Sequence, residues 1–321
     1  MKDSYGREIN YLRVSITNRC NLKCRYCVPE GEIFQEKESN LLTLDEMYCI
    51  IKAFTKVGIN KVRITGGEPL IRPGIIEFVE KISKLEGIKD LAMTTNGILL
   101  KKYAKDLKET GLSRLNISLD TLNAQDYTSI TGGGQLEKVL DGIKEARAVG
   151  LGPIKINTVL IKGFNDHMIE EFVEWSIKEK VELRFIELMP IGHGISWAKE
   201  KFISAETVLK TVPDLREINS TDKSSPAQYY ELSDGKGKIG LIKPVSCKFC
   251  NHCNRIRVTS QGDIKFCLLN NDKVNIKDIL RNSTEIRRIE DIIEYSIMEK
   301  PEFHQLENNQ YMKTNMYNIG G

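Results

Sequence analysis

Between residues 11 and 190 the spacing of apolar positions switches repeatedly between two periods. In short runs apolar and polar residues alternate one by one; in longer stretches apolar residues return every three or four positions. The first pattern belongs to a strand with unlike faces, the second to an amphipathic helix. It predicts strands at YLRVSIT (11–17), KVRIT (61–65), IKDLAMT (88–94), RLNISL (114–119), IKINTVL (154–160) and VELRFIEL (181–188). Helices are predicted between them at about 43–57, 74–85, 99–110, 136–149 and 166–179. Strands separated by helices pair in parallel as βα units. Six such units with right-handed crossovers suit an α/β fold of the incomplete TIM-like barrel kind. A doubly wound open sheet fits the same rhythm, and pattern alone does not separate the two.

After Met189-Pro190 the rhythm breaks. IGHGISW (191–197) reads as loop, NSTDKSSPA (219–227) as a polar linker and 275–299 as a helical tail. The expected division is a barrel over 1–190 and a C-terminal region over 191–321 that covers its open side.

Alternation also sorts charge. Arg13 opposes Leu12 and Val14, Arg63 opposes Val62 and Ile64, Lys155 opposes Ile154 and Ile156, and Arg184 opposes Leu183 and Phe185. In NRIRVT, Arg255 and Arg257 share a face against Ile256 and Val258. With the apolar faces on the helices, these six cations face the lumen or its lid. Strands of a parallel sheet are usually apolar on both faces, and buried cations need acidic partners or a bound polyanion. Glu68, Asp120, Glu182 and Glu187 are the available acids. A triphosphate suits the group as a whole, because arginine forks match phosphate oxygens. No G-x4-GK[ST] is present, which removes a P-loop as the phosphate cradle.

Composition narrows the setting. The 321 residues are 40% hydrophobic and 28% charged, enough for a large core, and a net charge of +3 gives no reason to expect nucleic-acid binding. No apolar stretch reaches membrane-spanning length and the start shows no signal-peptide core, so a cytoplasmic, reducing location is expected. There, eight cysteines suit metal ligation better than disulfides. Cys49, inside a helical pattern, reads as an ordinary buried thiol. The other seven form two clusters.

The first, CNLKCRYC (20–27), sets three thiols in one loop with no fourth. Three thiolates can hold three corners of an iron–sulfur cube and leave one iron open. The C-x3-C-x2-C spacing with Tyr26 before the last cysteine, followed by ITGGEPL (64–70), resembles the radical S-adenosylmethionine (SAM) superfamily. The resemblance implies that Cys20, Cys24 and Cys27 hold a 4Fe–4S cluster. It further implies that SAM binds the open iron and is contacted by Tyr26, Gly67, Ser118 and Met189.

The second cluster, CKFCNHCNRIRVTSQGDIKFC (247–267), could by spacing alone be a zinc ribbon. FCNHCNRIRVT…GDIKFCL is, however, similar to the C-terminal region of the GTP 3′,8-cyclases of molybdenum cofactor biosynthesis, the MoaA family. That resemblance implies a second 4Fe–4S cluster on Cys250, Cys253 and Cys267 whose open iron faces guanine, with Cys247 a bystander and His252 solvated. It places Arg13, Arg63, Thr94, Lys155, Arg255 and Arg257, with Arg184, at the GTP site, and brings the terminal Gly320 and Gly321 into the pocket. The implied enzyme is a lyase that joins C3′ of GTP to C8 by radical chemistry. Implied partners are a flavodoxin- or ferredoxin-type electron donor and, for the product, cyclic pyranopterin monophosphate synthase; a monomer or homodimer is expected. Two rivals are a peptide-modifying radical SAM maturase, which would not need the six cations, and a zinc-ribbon binding protein.

Overall fold

The computed structural model describes residues 1–32, 40–219, 222–247, 249–282, 286–304, 306 and 311–320. Six parallel strands run in chain order: β1 (Tyr11–Ser15), β2 (Lys61–Thr65), β3 (Asp90–Thr95), β4 (Arg114–Ser118), β5 (Ile154–Leu160) and β6 (Glu182–Glu187). A doubly wound sheet reverses its order at a switch point; from β1 to β6 the order does not reverse. Successive strands always step the same way, so the helices fall on one side and the sheet curls around the other. The barrel reading therefore holds over the open sheet.

The helices are α1 (Leu44–Lys56), α2 (Ile75–Ser83), α3 (Leu100–Glu109), α4 (Ala124–Thr131), α5 (Leu136–Ala148) and α6 (Ile169–Lys178). Helix α1 starts on a reciprocal cap: Glu46 N–H donates to the Thr43 hydroxyl and Thr43 N–H to the Glu46 carboxylate. Its buried stripe is Met47, Ile50, Ile51 and Phe54. Cys49 lies off that stripe and is exposed, which corrects the buried-thiol expectation. The core joins these helices to the apolar strand faces, including Leu12, Val14, Val62, Ile64, Leu183 and Phe185.

The C-terminal region does not stand apart from the sheet. Strand β9 (Lys238–Ile242) pairs in parallel with β6, and β10 (Arg255–Val258) pairs in parallel with β1. Beyond them, β7 (Leu215–Ile218) and β8 (Ala227–Leu232) extend one edge, while β11 (Asp263–Lys265) and β12 (Lys273–Asn275) extend the other, all antiparallel. Three local expectations change. The 191–197 loop contains the start of α7 (Gly194–Lys201); α8 (Thr207–Thr211) follows. The helical tail breaks into β12, α9 (Lys277–Asn282) and α10 (Ile286–Met298), with Asn275 capping α9 by accepting from Lys277 N–H. Ser224, Ser225 and Pro226, inside the expected linker, wall a pocket instead, and the short α11 (Met316–Ile319) ends the described chain.

Arg7 ties the two ends of the chain together. Its Nε pairs with Asp3 at 2.6 Å, and its Nη atoms donate to the carbonyls of Cys250, Lys300, Pro301 and Glu302. Both charged groups are buried, so Arg7→Ala leaves the Asp3 carboxylate without its countercharge and the carbonyls of Lys300, Pro301 and Glu302 without their guanidinium donor. A loss of about 3–5 kcal/mol of stability is expected, read by denaturant unfolding; an unchanged midpoint would contradict this clamp.

Candidate active site

The loop after β1 carries Cys20, Cys24 and Cys27. The Cys24 carbonyl accepts from the N–H groups of Cys27 (2.8 Å) and Val28 (2.9 Å), which turns the loop back on itself. Lys23 and Arg25 N–H donate to the carbonyls of Thr131 and Ile130, at the end of α4. The sequence reading missed that helix because its Thr- and Ser-rich stretch, DYTSIT, carries only a weak apolar stripe. Burial pushes Cys20 up to about 11 and Cys27 up to about 12, and it raises Cys24 strongly. Three sulfurs so placed ionise only beside positive charge, which a metal cluster supplies; the donor set fits one.

GGEP backs this loop. Gly67 N–H donates to the Thr17 carbonyl (2.7 Å) and Glu68 N–H to the Arg19 carbonyl (2.8 Å). A Cβ on Gly67 would run into the Arg19 carbonyl, so the close approach that demands glycine is to the chain's own backbone. Glu68 accepts from the Thr95 hydroxyl and the N–H groups of Asn96 and Leu70, and burial pushes it up to about 7. Asn96 in turn donates to Asn21 (2.8 Å) and lies 3.7 Å from the Cys20 sulfur. The Tyr26 hydroxyl donates to Asp120 at 2.6 Å, with its ring edge-on to Trp197. Glu68, Asp120 and Glu187, expected as possible partners of the lumen cations, are thus occupied elsewhere; Glu187 accepts from Val245 and Ser246 N–H. Of the four acids only Glu182 serves, at 2.6 Å from Arg184 and 3.0 Å from Lys155. Burial opposes its ionisation, but Arg184 and Lys155 outweigh this and hold Glu182 at about 2.

Strand register decides where the cations meet. Arg257, Arg13 and Arg63 stand side by side across β10, β1 and β2. Like charges in register repel, and burial followed by the fields of Arg257 and Arg63 drives Arg13 well below the usual guanidinium range. Arg63 and Arg257, held down to about 10 by burial first, have no carboxylate partner among the described residues. All three border a cavity of about 200 Å3, together with Arg184, Arg255, Asn157, Met189, Cys250, Cys253 and Cys267. The Arg63 Nε and the side-chain oxygens of Thr94, Asn116 and Asn157 are buried without hydrogen-bond partners. Orphaned polar atoms on one lumen face call for a polar ligand.

A second cavity of about 340 Å3 shares Tyr11, Arg63, Arg184 and Arg255 with the first and adds Lys61, Arg114, Lys155 and Lys238. It lies where the strands begin. Lys61 and Arg114 were missed, although Lys61 shares the face of Arg63 by the same alternation. Tyr11 is pushed up by burial, yet Arg63, Arg114 and Arg13 bring it down to about 8.

Ser118 ends β4 beside Asn157, while Cys247 is exposed and borders a separate surface hollow. His252 is exposed. Gly320 sits against Ser15 and Thr65, and its carbonyl accepts from Arg257 (2.8 Å). Gly321 lies outside the described residues.

These features define the class: residues 14–176 match the radical SAM superfamily model, and residues 181–306 match the Molybdenum Cofactor Synthesis C model. Among solved structures, Streptococcus suis SuiB bound to precursor peptide SuiA aligns with a TM-score of 0.63 at 17% identity, covering 96% of this chain and 75% of that one. Native anSMEcpe with bound AdoMet aligns at 0.61 and 17%, covering 94% and 82%. Both likenesses concern the fold. The chain is 51% identical to the GTP 3′,8-cyclase of Peptoclostridium acidaminophilum, over 99% of this chain and 98% of that protein. It is 49% identical to that of Alkaliphilus oremlandii over the full length of both. This chain belongs to the GTP 3′,8-cyclase family.

Proposed function

We propose that this chain converts GTP to (8S)-3′,8-cyclo-7,8-dihydroguanosine 5′-triphosphate, the first step of molybdenum cofactor biosynthesis. The observation that carries the reading is the in-register row Arg257–Arg13–Arg63 opening onto the cavity bordered by Cys250, Cys253 and Cys267. A chamber with fixed cations at one end and thiols at the other suits a substrate with a polyanionic tail and a base.

Cys20, Cys24 and Cys27 would hold the first cluster, with Tyr26, Gly67, Ser118 and Met189 around SAM. Cys250, Cys253 and Cys267 would hold a second cluster. When bound, the first cluster and SAM supply the adenosyl radical that takes hydrogen from C3′ of the ribose. The protein's own task is orientation and exclusion of water. Arg63, Arg184, Arg255 and Lys155, with Lys61 and Arg114 in the lower cavity, would grip the triphosphate. Arg13, Arg257, Thr94 and Asn157 would fix the nucleoside so that C3′ and C8 can join, and Gly320 with Gly321 would close the pocket. Residues 1–190 would act as the radical-generating barrel and 191–321 as the base-binding half. An electron donor of flavodoxin or ferredoxin type and transfer of product to cyclic pyranopterin monophosphate synthase complete the reading. So does a cytoplasmic site of action; no helix among the described residues is long and apolar enough to cross a membrane.

Anaerobic incubation of the reconstituted protein with SAM, dithionite and GTP tests the whole: 5′-deoxyadenosine and a cyclised nucleotide should form together, and 5′-deoxyadenosine with unchanged GTP would reject it. Arg255 borders both cavities, stacks on Phe249 at 5.3 Å and donates to the Ser224 carbonyl. Loss of a charged hydrogen bond is worth about 1.5–3 kcal/mol. Arg255→Ala should therefore raise the KM for GTP by about 10–100-fold while SAM cleavage without GTP persists; an unaltered KM would remove Arg255 from the site.

A further inference from the structure

Lys300 follows α10 and is 3% exposed, an unusual place for a lysine. It borders the upper cavity with Cys250, Cys253 and Cys267. Its Nζ donates to the carbonyl of Phe266 at 2.8 Å, the residue directly before Cys267. Its own carbonyl accepts from Arg7, the guanidinium that also holds the Cys250 carbonyl. Both ends of Lys300 are therefore fastened to the segments that carry the cysteines. An ammonium has three donors; one is used on Phe266, and no carboxylate among the described residues pairs with the charge.

A buried cation without an anion costs several kcal/mol, so the site should contain the anion that this one serves. Cys250, Cys253 and Cys267 line the cavity that Lys300 borders and no carboxylate among the described residues does, so the cysteine sulfurs are the anion within its reach. Arg255 and Arg257 border the same cavity, yet the reading above assigns both to the substrate.

We propose that Lys300 is the counterion of the second iron–sulfur site: its ammonium holds the Phe266–Cys267 turn and offsets the thiolate charge, and so raises the reduction potential of the cluster carried by Cys250, Cys253 and Cys267. This rests on the two-cluster reading above. The physical reason is general, since reduction adds negative charge and a fixed cation nearby stabilises the reduced form. Lys300 is a positioning residue and touches no reacting atom.

The test uses the full chain reconstituted under anaerobic conditions, in the parent form and as Lys300→Met and Lys300→Arg. Iron and sulfide are counted, and each cluster is followed by electron paramagnetic resonance through a redox titration. The first cluster, identified by its spectral change on adding SAM, is the internal reference. In Lys300→Met the second cluster should become at least tenfold harder to reduce, about 59 mV for one electron, and Lys300→Arg should restore most of that shift. Loss of the second cluster in Lys300→Met but not in Lys300→Arg would also support the charge role. An unmoved potential in Lys300→Met, or equal loss of iron in both variants, would overturn it. A parent protein with a single cluster would instead refute the two-cluster reading, and the proposal with it.

Discussion

Cys24→Ala is expected to bring 5′-deoxyadenosine formation to background and, with it, all cyclisation. The loop should survive the change, because its turn is made by the Cys24 backbone carbonyl with Cys27 and Val28 and by Lys23 and Arg25 against α4. Only the sulfur is removed. A cube left with two protein thiolates loses its hold on the site, so iron per chain should fall by about four. The second cluster proposed on Cys250, Cys253 and Cys267, on a different strand and loop, should stay. Iron analysis with the 5′-deoxyadenosine assay checks both parts. Full SAM cleavage by Cys24→Ala would show that radical generation does not depend on this loop, and the functional assignment would go with it.

The second large effect is expected at the tail. Gly320 has a φ of 75°, and a Cβ there would collide with the Thr65 hydroxyl and come within 2.9 Å of Ser15 Cβ. The collision is with the ends of β1 and β2, which the core holds rigid. In Gly320→Ala the strand ends cannot retreat, so the tail must lift and the Gly320 carbonyl must leave Arg257. Misplacement of a substrate-positioning group by about 1 Å can cost on the order of 10²-fold in rate. Cyclisation should drop by at least that much, while SAM cleavage continues uncoupled from product. The ratio of 5′-deoxyadenosine to cyclised nucleotide is the readout. A parent-like ratio would mean that the tail does not order the arginine row.

The barrel was legible in the chain because period-2 and period-3.6 patterns reflect burial on one face, and burial is a local demand repeated at every strand. Strands β2 and β5 fall on their predicted bounds for that reason. Helix α4 escaped because its buried face is short, Tyr127 and Ile130 with the polar Thr131, too few apolar positions to show a period, while its end carbonyls hold a loop. Cys49 shows the converse: an apolar type in a helical pattern does not reveal its face without counting the stripe beside it. At Gly67 of GGEP the crowding comes from the Arg19 carbonyl, a neighbour in space that the motif does not mention.

By itself, the sequence determined the donor types, their spacing within each loop, and which strand residues share a face with the cations. Those follow from covalent order and the two-residue repeat of a strand. Tertiary structure alone decided that Arg257, some two hundred residues from Arg63, stands with Arg13 between them. It also decided that Glu182 is the one expected acid to meet the cations, and that Lys300 lies beside the second set of cysteines. Register between strands distant in the chain is set by the packing of the whole core, and that is a property no local pattern encodes.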